Sequence, residues 1–365
     1  MRQASPMPEG LSSGQTILLA LLMGVGLGFV GLLALALMVW LSHQRFGVDR
    51  SAKHGISARD TSRMGGLAIA LFLIIVWSIS ELNHEKGLDI ELIVPLTSTP
   101  PFILPVLLIG AIGFADDIGV IIKPSVRLLA MLAIGLVFFL LKPELLPNRL
   151  LEVLNFEDRW GVLMLSMVSS VLMAGVVSAA NISDGANGLL GGLCLVFFWV
   201  AWQLQGDGWS FYFIVILLCF WLINILTGRI MLGDLGAYAL GASITLVAFN
   251  LFDEQGVSPF FLASLLSYPC VELLRVVVIR RLRGQSPLSA DNAHLHNLLN
   301  TKLRRSLRGS TLPNSLTGTI VVIITSTPGI LTMHLDLQAD TLVTLVVFVL
   351  QTIIFLFLWA WLEEA

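Results

Sequence analysis

The acidic side chains most able to do chemistry stand in short clusters beside long apolar runs. Asp116 and Asp117 form an adjacent pair at the end of such a run, in the sequence GFADDIG. Two carboxylates at membrane depth are costly to keep ionised unless a cation pairs with them. The pair therefore indicates either an interfacial helix cap or a site for a cation or a basic partner. Lys123 and Arg127 follow and could bring positive charge back to the interface.

A second polar cluster is NISDGANGL at residues 181–189. Asn181, Asp184 and Asn187 are spaced three apart, so a helical turn would place them near one another. Gly185 and Gly188 would allow a ligand to approach the backbone closely. A polar turn between two apolar segments is the simpler interpretation. Oxygen ligands at regular spacing favour a hard metal ion or a nucleotide.

A single carboxylate, Asp234, stands between glycines in MLGDLGAYALG. Aspartate is a good helix N-cap, which is the structural interpretation. A helix N-terminus also attracts phosphate. Because an aspartate there would repel phosphate unless a divalent cation bridged them, the position predicts a Mg²⁺ ligand.

Two basic segments could bind phosphate. His294 and His296 lie in AHLHN between groups of arginines, and together they could hold a pyrophosphate. The arginines could instead reflect membrane orientation alone, and HxH could be a zinc pair. Zinc is disfavoured because no further histidine is close and the cysteines lie elsewhere, in apolar runs: Cys194, Cys219 and Cys270. Lys53 belongs to KHGISARDTSRMGG, a basic stretch next to an apolar run.

The elements that must position these residues are apolar. Of the 365 residues, 56% are hydrophobic and only 12% charged, against about 25% charged in soluble domains. A bilayer core of about 30 Å needs about 20 apolar residues per helix. The sequence therefore predicts an all-α, polytopic membrane helix bundle, and the net charge of −3 predicts no nucleic-acid partner. Eleven candidate spans cover residues 16–42, 64–82, 101–122, 126–142, 161–180, 188–205, 209–228, 235–252, 259–279, 316–333 and 341–362.

The distribution of basic residues predicts the orientation. With eleven spans, sixteen of the 21 lysines and arginines fall on one side, which is therefore expected to be cytoplasmic. The N-terminus, with no cleavable signal, is then outside and the C-terminus inside. We expect a short external segment over 1–15 and a single transmembrane catalytic domain over 16–365. Its predicted cytoplasmic loops are 43–63, 116–126, 181–188, 228–235 and 280–315.

The motifs follow one another in the order KH…RMGG, GFADDIG, NISDGANGL, MLGDLGAYALG, AHLHN. In this order they resemble the polyprenyl-phosphate N-acetylhexosamine-1-phosphate transferase superfamily, glycosyltransferase family 4, over roughly residues 45 to 360. The eleven-span layout looks more like the branch that primes surface polysaccharides such as lipopolysaccharide O-antigen, with undecaprenyl-phosphate GlcNAc-1-phosphate transferases, than the ten-span peptidoglycan branch.

The resemblance implies a Mg²⁺-dependent phosphoglycosyltransferase, in which Mn²⁺ can substitute. Such an enzyme transfers a sugar 1-phosphate, most often N-acetylhexosamine 1-phosphate, from a UDP-sugar to polyprenyl (undecaprenyl) phosphate and releases UMP. This is the first membrane step of cell-surface glycan synthesis. The expected location is the cell inner membrane with the active site on the cytoplasmic face, and a homodimer is an open alternative to a monomer.

The resemblance also implies roles for individual residues. The catalytic group comprises Asp116, Asp117 and Asp184. The metal ligands are Asp234 and Asn181. The nucleotide-sugar group comprises Lys53, Lys123, Asn187, His294 and His296. The chain departs from the pattern at Asn187, where many bacterial members have an aspartate that meets the uracil, and at Asn297, where a further histidine is usual.

For the reaction, we expect direct attack of the lipid phosphate on the β-phosphorus, because phosphoryl transfer needs mostly positioning and charge neutralisation. Asp116 or Asp117 would remove a residual proton or orient Lys53 and Lys123. A covalent aspartyl-phosphate route is the alternative. The rival functions are a membrane transporter, which would place ionisable residues near the midplane, and a non-catalytic assembly partner.

Overall fold

The computed structural model describes residues 37–38, 40, 48–49, 61–86, 96, 102–120, 122–156, 158–286, 293–307 and 311–364. Lys53, the predicted external segment 1–15 and most of the predicted span 16–42 lie outside these residues. The same holds for much of the predicted loop 43–63 and parts of 280–315.

Within the described ranges the fold is helical, with one small antiparallel pair of strands, β1 (Val48–Asp49) and β2 (Thr61–Ser62). The helices in the first half are α1 (Gly65–Lys86), α2 (Ile103–Asp117), α3 (Pro124–Leu141), α4 (Arg149–Leu154), α5 (Arg159–Ser183) and α6 (Leu189–Gln205). Those in the second half are α7 (Gly208–Thr227), α8 (Gly233–Glu254), α9 (Pro259–Leu265), α10 (Ser267–Leu282), α11 (Leu295–Ser306), α12 (Thr311–His334) and α13 (Thr341–Glu364).

Seven helices of the described chain are long and apolar enough to cross a membrane: α1, α3, α5, α7, α8, α12 and α13. Large apolar side chains such as Leu141, Leu226 and Leu342 are at least 70% exposed, as expected for helix faces covered by lipid. The prediction of an all-α, multi-pass membrane protein is therefore confirmed. The exact count of eleven and the orientation stay predictions, since α2 and α6 have only 15 and 17 residues.

The predicted ninth span, 259–279, is interrupted. It consists of α9 and α10, which meet at Leu266 with a bend of 88°. Pro269 explains the position of the break, because a proline ring clashes with the carbonyl four residues earlier and offers no N–H to it. That carbonyl belongs to Leu265, the last residue of α9. Across the break, Gln351 of α13 donates to the carbonyl of Ser264 at 3.1 Å, replacing a helical partner.

The predicted cytoplasmic loop 280–315 contains a short helix, α11. The helix has twelve residues, with Leu295 buried on one side and Arg304 and Arg305 in its last turn. It lacks the long apolar run of a membrane span. Trp359 of α13 donates to the carbonyl of Ala293 at 2.9 Å and so holds the segment that leads into α11.

Helix α8 occupies the centre of the bundle. Two thirds of its most apolar stretch is buried, the highest share among the seven candidate spans. It packs against α1, α2 and α5, among others. Small residues on α8 allow these neighbours to approach, as is common in membrane helix packing. The N-terminus of α8, which carries Asp234, is therefore surrounded by other elements.

Candidate active site

Asp117, the last residue of α2, caps the N-terminus of α8. Its two carboxylate oxygens accept from the backbone N–H groups of Asp234 at 3.0 Å and Leu235 at 2.9 Å. Arg63 lies 3.8 Å from the same carboxylate. The approach of the helices depends on Gly113, because a Cβ there would stand 2.3 Å from the carbonyl oxygen of Asp234. The cap thus comes from a residue 117 positions away in the chain.

Asp184 holds the residue that opens α8. Its Oδ2 accepts from the N–H of Gly233 at 3.0 Å. Gly233 has a φ of +71°, and a Cβ there would meet the Arg63 carbonyl at 2.1 Å, so a side chain is excluded on both grounds. Desolvation raises the pKa of Asp184 to about 8, although the Gly233 hydrogen bond opposes this. The end of α5 and the start of α8 are therefore joined through one carboxylate.

Arg127 of α3 joins two further carboxylates. Its Nη1 lies 3.0 Å from Oδ2 of Asp116 and 3.0 Å from Oδ2 of Asp234. The sequence predicts Arg127 only as positive charge at the interface, and Arg127 is not among the predicted site residues. The sequence did indicate that a cation should lie nearby, because two adjacent carboxylates at membrane depth need a compensating charge. The local sequence could not choose Arg127 over Lys123, which is exposed just before α3.

The described part of the KH…RMGG motif joins the same end of the bundle. The N–H of Ser62 donates to the Arg229 carbonyl at 2.9 Å, and the N–H of Met231 donates to the Ser62 carbonyl at 2.8 Å. The N–H of Gly65 donates to the Met231 carbonyl at 3.0 Å. These bonds attach the start of α1 to the segment that precedes Gly233.

The hydrogen bonds of Asn187 join it to α12 and not to the carboxylates. It is 2% exposed, its N–H donates to Asn314 Oδ1 at 3.1 Å, and its side-chain amide donates to Ser315 Oγ at 3.3 Å. Both partners belong to α12. In this structure Asn187 therefore fixes the loop after α5 to α12, and its contact with uracil stays a prediction.

The two histidines meet the other half of that loop. His296 is 2% exposed, and a Cβ on Gly185 would stand 2.1 Å from its Nε2. The rings of His294 and His296 are parallel, with centroids 5.4 Å apart. Desolvation lowers the pKa of His296 to about 3, and the neighbouring His294 contributes in the same direction. His296 is therefore a neutral group facing the Asp184–Gly185 turn.

The donor set suits a cation that also binds phosphate. No group of three or more His, Cys, Asp or Glu residues within the described chain forms a self-sufficient metal site. Mg²⁺ usually takes one or two carboxylates and completes its shell with water and substrate phosphates. The Oδ2 atoms of Asp116 and Asp234 already converge on one cationic nitrogen, that of Arg127. Asn181 lies in the last turn of α5, three residues before Asp184.

These features define a multi-pass membrane protein with an acidic site at one end of its central helix. Residues 100–251 match the sequence model of glycosyl transferase family 4. That region includes Asp116, Asp117, Asp184 and Asp234, so the match covers the helices that build the carboxylate cluster.

Similar curated proteins are known. The chain is 30% identical over 138 residues to the undecaprenyl-phosphate alpha-N-acetylglucosaminyl 1-phosphate transferase of Escherichia coli K12, an alignment covering 34% of this chain and 37% of that protein. It is 24% identical to the phospho-N-acetylmuramoyl-pentapeptide-transferase of Staphylococcus carnosus over 70% of this chain and 83% of that protein. These matches confirm the resemblance to the polyprenyl-phosphate N-acetylhexosamine-1-phosphate transferase superfamily.

Proposed function

We propose that this chain transfers a sugar 1-phosphate, specifically an N-acetylhexosamine 1-phosphate, from a UDP-sugar to undecaprenyl phosphate and releases UMP. The reaction would take place at the cytoplasmic face of the inner membrane. The observation that carries this proposal is the convergence of Asp116, Asp117, Asp184 and Asp234 at the start of α8. Their segments are separate in sequence, and the family match contains all four residues.

The cluster is suited to phosphoryl transfer, which depends on positioning and on neutralising charge. Asp234, with Asn181 as the second predicted ligand, would hold Mg²⁺, which would supply neutralisation of the diphosphate and of the departing UMP. Arg127 provides positive charge at the same place. The fixed turn at Gly233, held by Asp184, gives the carboxylates a defined geometry before substrate arrives.

The lipid acceptor needs little activation, because a phosphate monoester with a second pKa near 6 is largely ionised at pH 7. An oxygen of the lipid phosphate would form a bond to the β-phosphorus. The bond from that phosphorus to the bridging oxygen would break, and the oxygen would leave with UMP. Asp116, half-buried at the end of α2, would orient the acceptor or take up a residual proton.

The contacts of Asp117 favour direct transfer over a covalent aspartyl-phosphate. Both of its carboxylate oxygens accept backbone N–H groups of α8, and its side chain has no exposure. A nucleophile would have to give up these bonds and the cap they provide. We assign Asp117 to holding α8 in place.

The proposal is tested with purified protein, undecaprenyl phosphate, Mg²⁺ and a panel of UDP-sugars, with UMP release as the readout. We expect release that depends on both the lipid and one or more UDP-N-acetylhexosamines. Asp234→Asn should lower kcat by at least about 100-fold, the scale of losing a preorganised electrostatic group. Chelation of the metal should stop the reaction and added Mg²⁺ should restore it. Absence of lipid-dependent UMP release from folded protein with every UDP-sugar would refute the proposal.

A further inference from the structure

Two residues of α10, which are not among the predicted site residues, form hydrogen bonds with the histidine pair. Tyr268 follows the break between α9 and α10 and is fully buried. Its hydroxyl forms a hydrogen bond with Nδ1 of His296. Its ring lies 5.8 Å from the ring of Phe355 in α13. The hydroxyl therefore holds the Nδ1 atom of the His296 ring, while the Nε2 atom of that ring faces the Asp184–Gly185 turn.

Glu272 supports the second histidine. Its Oε1 accepts from Nδ1 of His294 at 2.8 Å and from Nη2 of Arg275. Because an ionised carboxylate can only accept, Nδ1 of His294 carries the hydrogen, and Nε2 points away from Glu272. Oε2 of Glu272 is buried and has no hydrogen-bond partner among the described residues.

Arg275 links this network to the last helix. Its guanidinium carbon lies 4.7 Å from the ring centroid of Trp359. Trp359 in turn donates to the carbonyl of Ala293, the residue before His294. The segment that carries the histidines is thus held from α10 and from α13 together.

An ionised carboxylate inside an apolar helix is costly, and truncating one partner of a buried pair is more costly still. A pair kept only for packing could be replaced by apolar side chains at little loss. The positions of Glu272 and Tyr268, one on each histidine, indicate that they serve the orientation of the rings. His296, whose ring is parallel to that of His294, lies against Gly185 in the turn whose Asp184 binds the start of α8.

We propose that Tyr268 and Glu272 are positioning residues that hold His296 and His294 in the binding site for the diphosphate of the nucleotide sugar. This inference rests on the proposed function and assigns the diphosphate to the partly exposed side of His294, next to the Asp184–Gly185 turn against which His296 packs. Neither residue touches the reacting atoms. Their loss should therefore weaken binding of the nucleotide sugar and leave the lipid acceptor unaffected.

The test compares Tyr268→Phe and Glu272→Gln with Tyr212→Phe, which removes the hydroxyl of another buried tyrosine, in α7. In each variant the KM for the UDP-sugar and the KM for undecaprenyl phosphate are measured separately. UDP affinity is measured by calorimetry and the thermal unfolding midpoint is recorded. We expect Tyr268→Phe and Glu272→Gln each to raise the KM for the UDP-sugar and the Kd for UDP by about tenfold, the effect of one lost hydrogen bond. The KM for the lipid should stay within about twofold, as should all constants of Tyr212→Phe.

Three results would overturn the inference while leaving the proposed function standing. The first is an active wild type whose two α10 variants keep the KM and Kd for nucleotide unchanged. The second is an equal rise in both KM values. The third is a loss that follows the fall in the unfolding midpoint and appears equally in Tyr212→Phe. An inactive but folded wild type would instead refute the proposed function, and the UDP titrations would still report on the histidine site.

Discussion

At the scale of single residues, the adjacent aspartates Asp116 and Asp117 have different surroundings and different proposed roles. The side chain of Asp117 is fully buried and bound by backbone N–H groups, whereas that of Asp116 is 27% exposed and pairs with Arg127. Successive residues on a helix point about 100° apart, so they cannot share one environment. One aspartate secures α8, and the other is left for the substrate side of the cluster.

Arg127 is the residue whose replacement should be most informative. Arg127→Gln removes the guanidinium that joins Asp116 to Asp234, so we expect kcat to fall by about 10- to 100-fold. Arg127→Lys should retain part of the activity, because it keeps the charge but loses the planar fork. UMP release under saturating substrates measures both.

The matched control for Arg127 is Arg283→Gln, which breaks an exposed ion pair with Glu363 at 3.3 Å. Exposed pairs contribute about 0–1 kcal/mol, so activity and stability should change little. Equal activities of Arg127→Gln and Arg283→Gln would show that the bridge between Asp116 and Asp234 has no part in the reaction.

At the scale of elements, the site is built around the first turn of α8. Helix α2 provides the cap through Asp117, the end of α5 provides Asp184, and the segment after β2 lies against Gly233. None of these contacts needs a long loop, because each partner stands at a helix end. The geometry depends instead on how closely the helices approach.

Gly113→Ala tests that approach. The added Cβ would meet the Asp234 backbone carbonyl at 2.3 Å, so α2 must move away from α8 and carry Asp117 with it. Overpacking of this kind costs about 1–3 kcal/mol, and we expect a lower unfolding midpoint with at least a tenfold loss of activity. Gly175→Ala is the control, since a Cβ there meets nothing within 4 Å. Unchanged activity in Gly113→Ala would mean that the α2–α8 contact does not set the site.

At the scale of the whole molecule, the described motifs gather at one end of the bundle. Helix α5 runs from Arg159 to Ser183, so Asp184 and the short helix α4, which contains Glu152, lie toward opposite ends of α5. The excess of lysine and arginine predicts that the motif end is cytoplasmic. UDP-sugars are expected in that compartment, and the lipid phosphate lies at the same interface.

Labelling of single cysteines tests this orientation. Glu152 and Gln285 are both exposed; the first lies in the predicted external segment between the spans 126–142 and 161–180, and the second on the predicted cytoplasmic face. A membrane-impermeant maleimide should label Glu152→Cys in intact cells and label Gln285→Cys only after lysis. The unaltered protein, with its three native cysteines, gives the background. The reverse pattern would place the site outside and contradict the proposed function.

The sequence by itself determined the class of the protein and the identity of most polar groups at the site. Hydropathy marked the bundle, because lipid imposes a long apolar run on each crossing. The order of the motifs was enough to show the resemblance to the superfamily, and the comparisons support that resemblance. Even Pro269 and Glu272 carried local signals, a helix break and a costly charge in an apolar run.

Only the tertiary structure decided which groups act together. The pairing of Arg127 with Asp234 and that of Asn187 with Asn314 of α12 each join residues more than 100 positions apart. Sequence spacing measures distance along one element, whereas these contacts depend on how closely different helices pack. The contacts of Tyr268 and Glu272 with the histidines also depend on packing between helices. They form because the bend between α9 and α10 brings α10 against the N-terminal end of α11. The residue types that could do chemistry could be identified from the sequence, whereas the contacts between them depend on how the helices of the bundle pack.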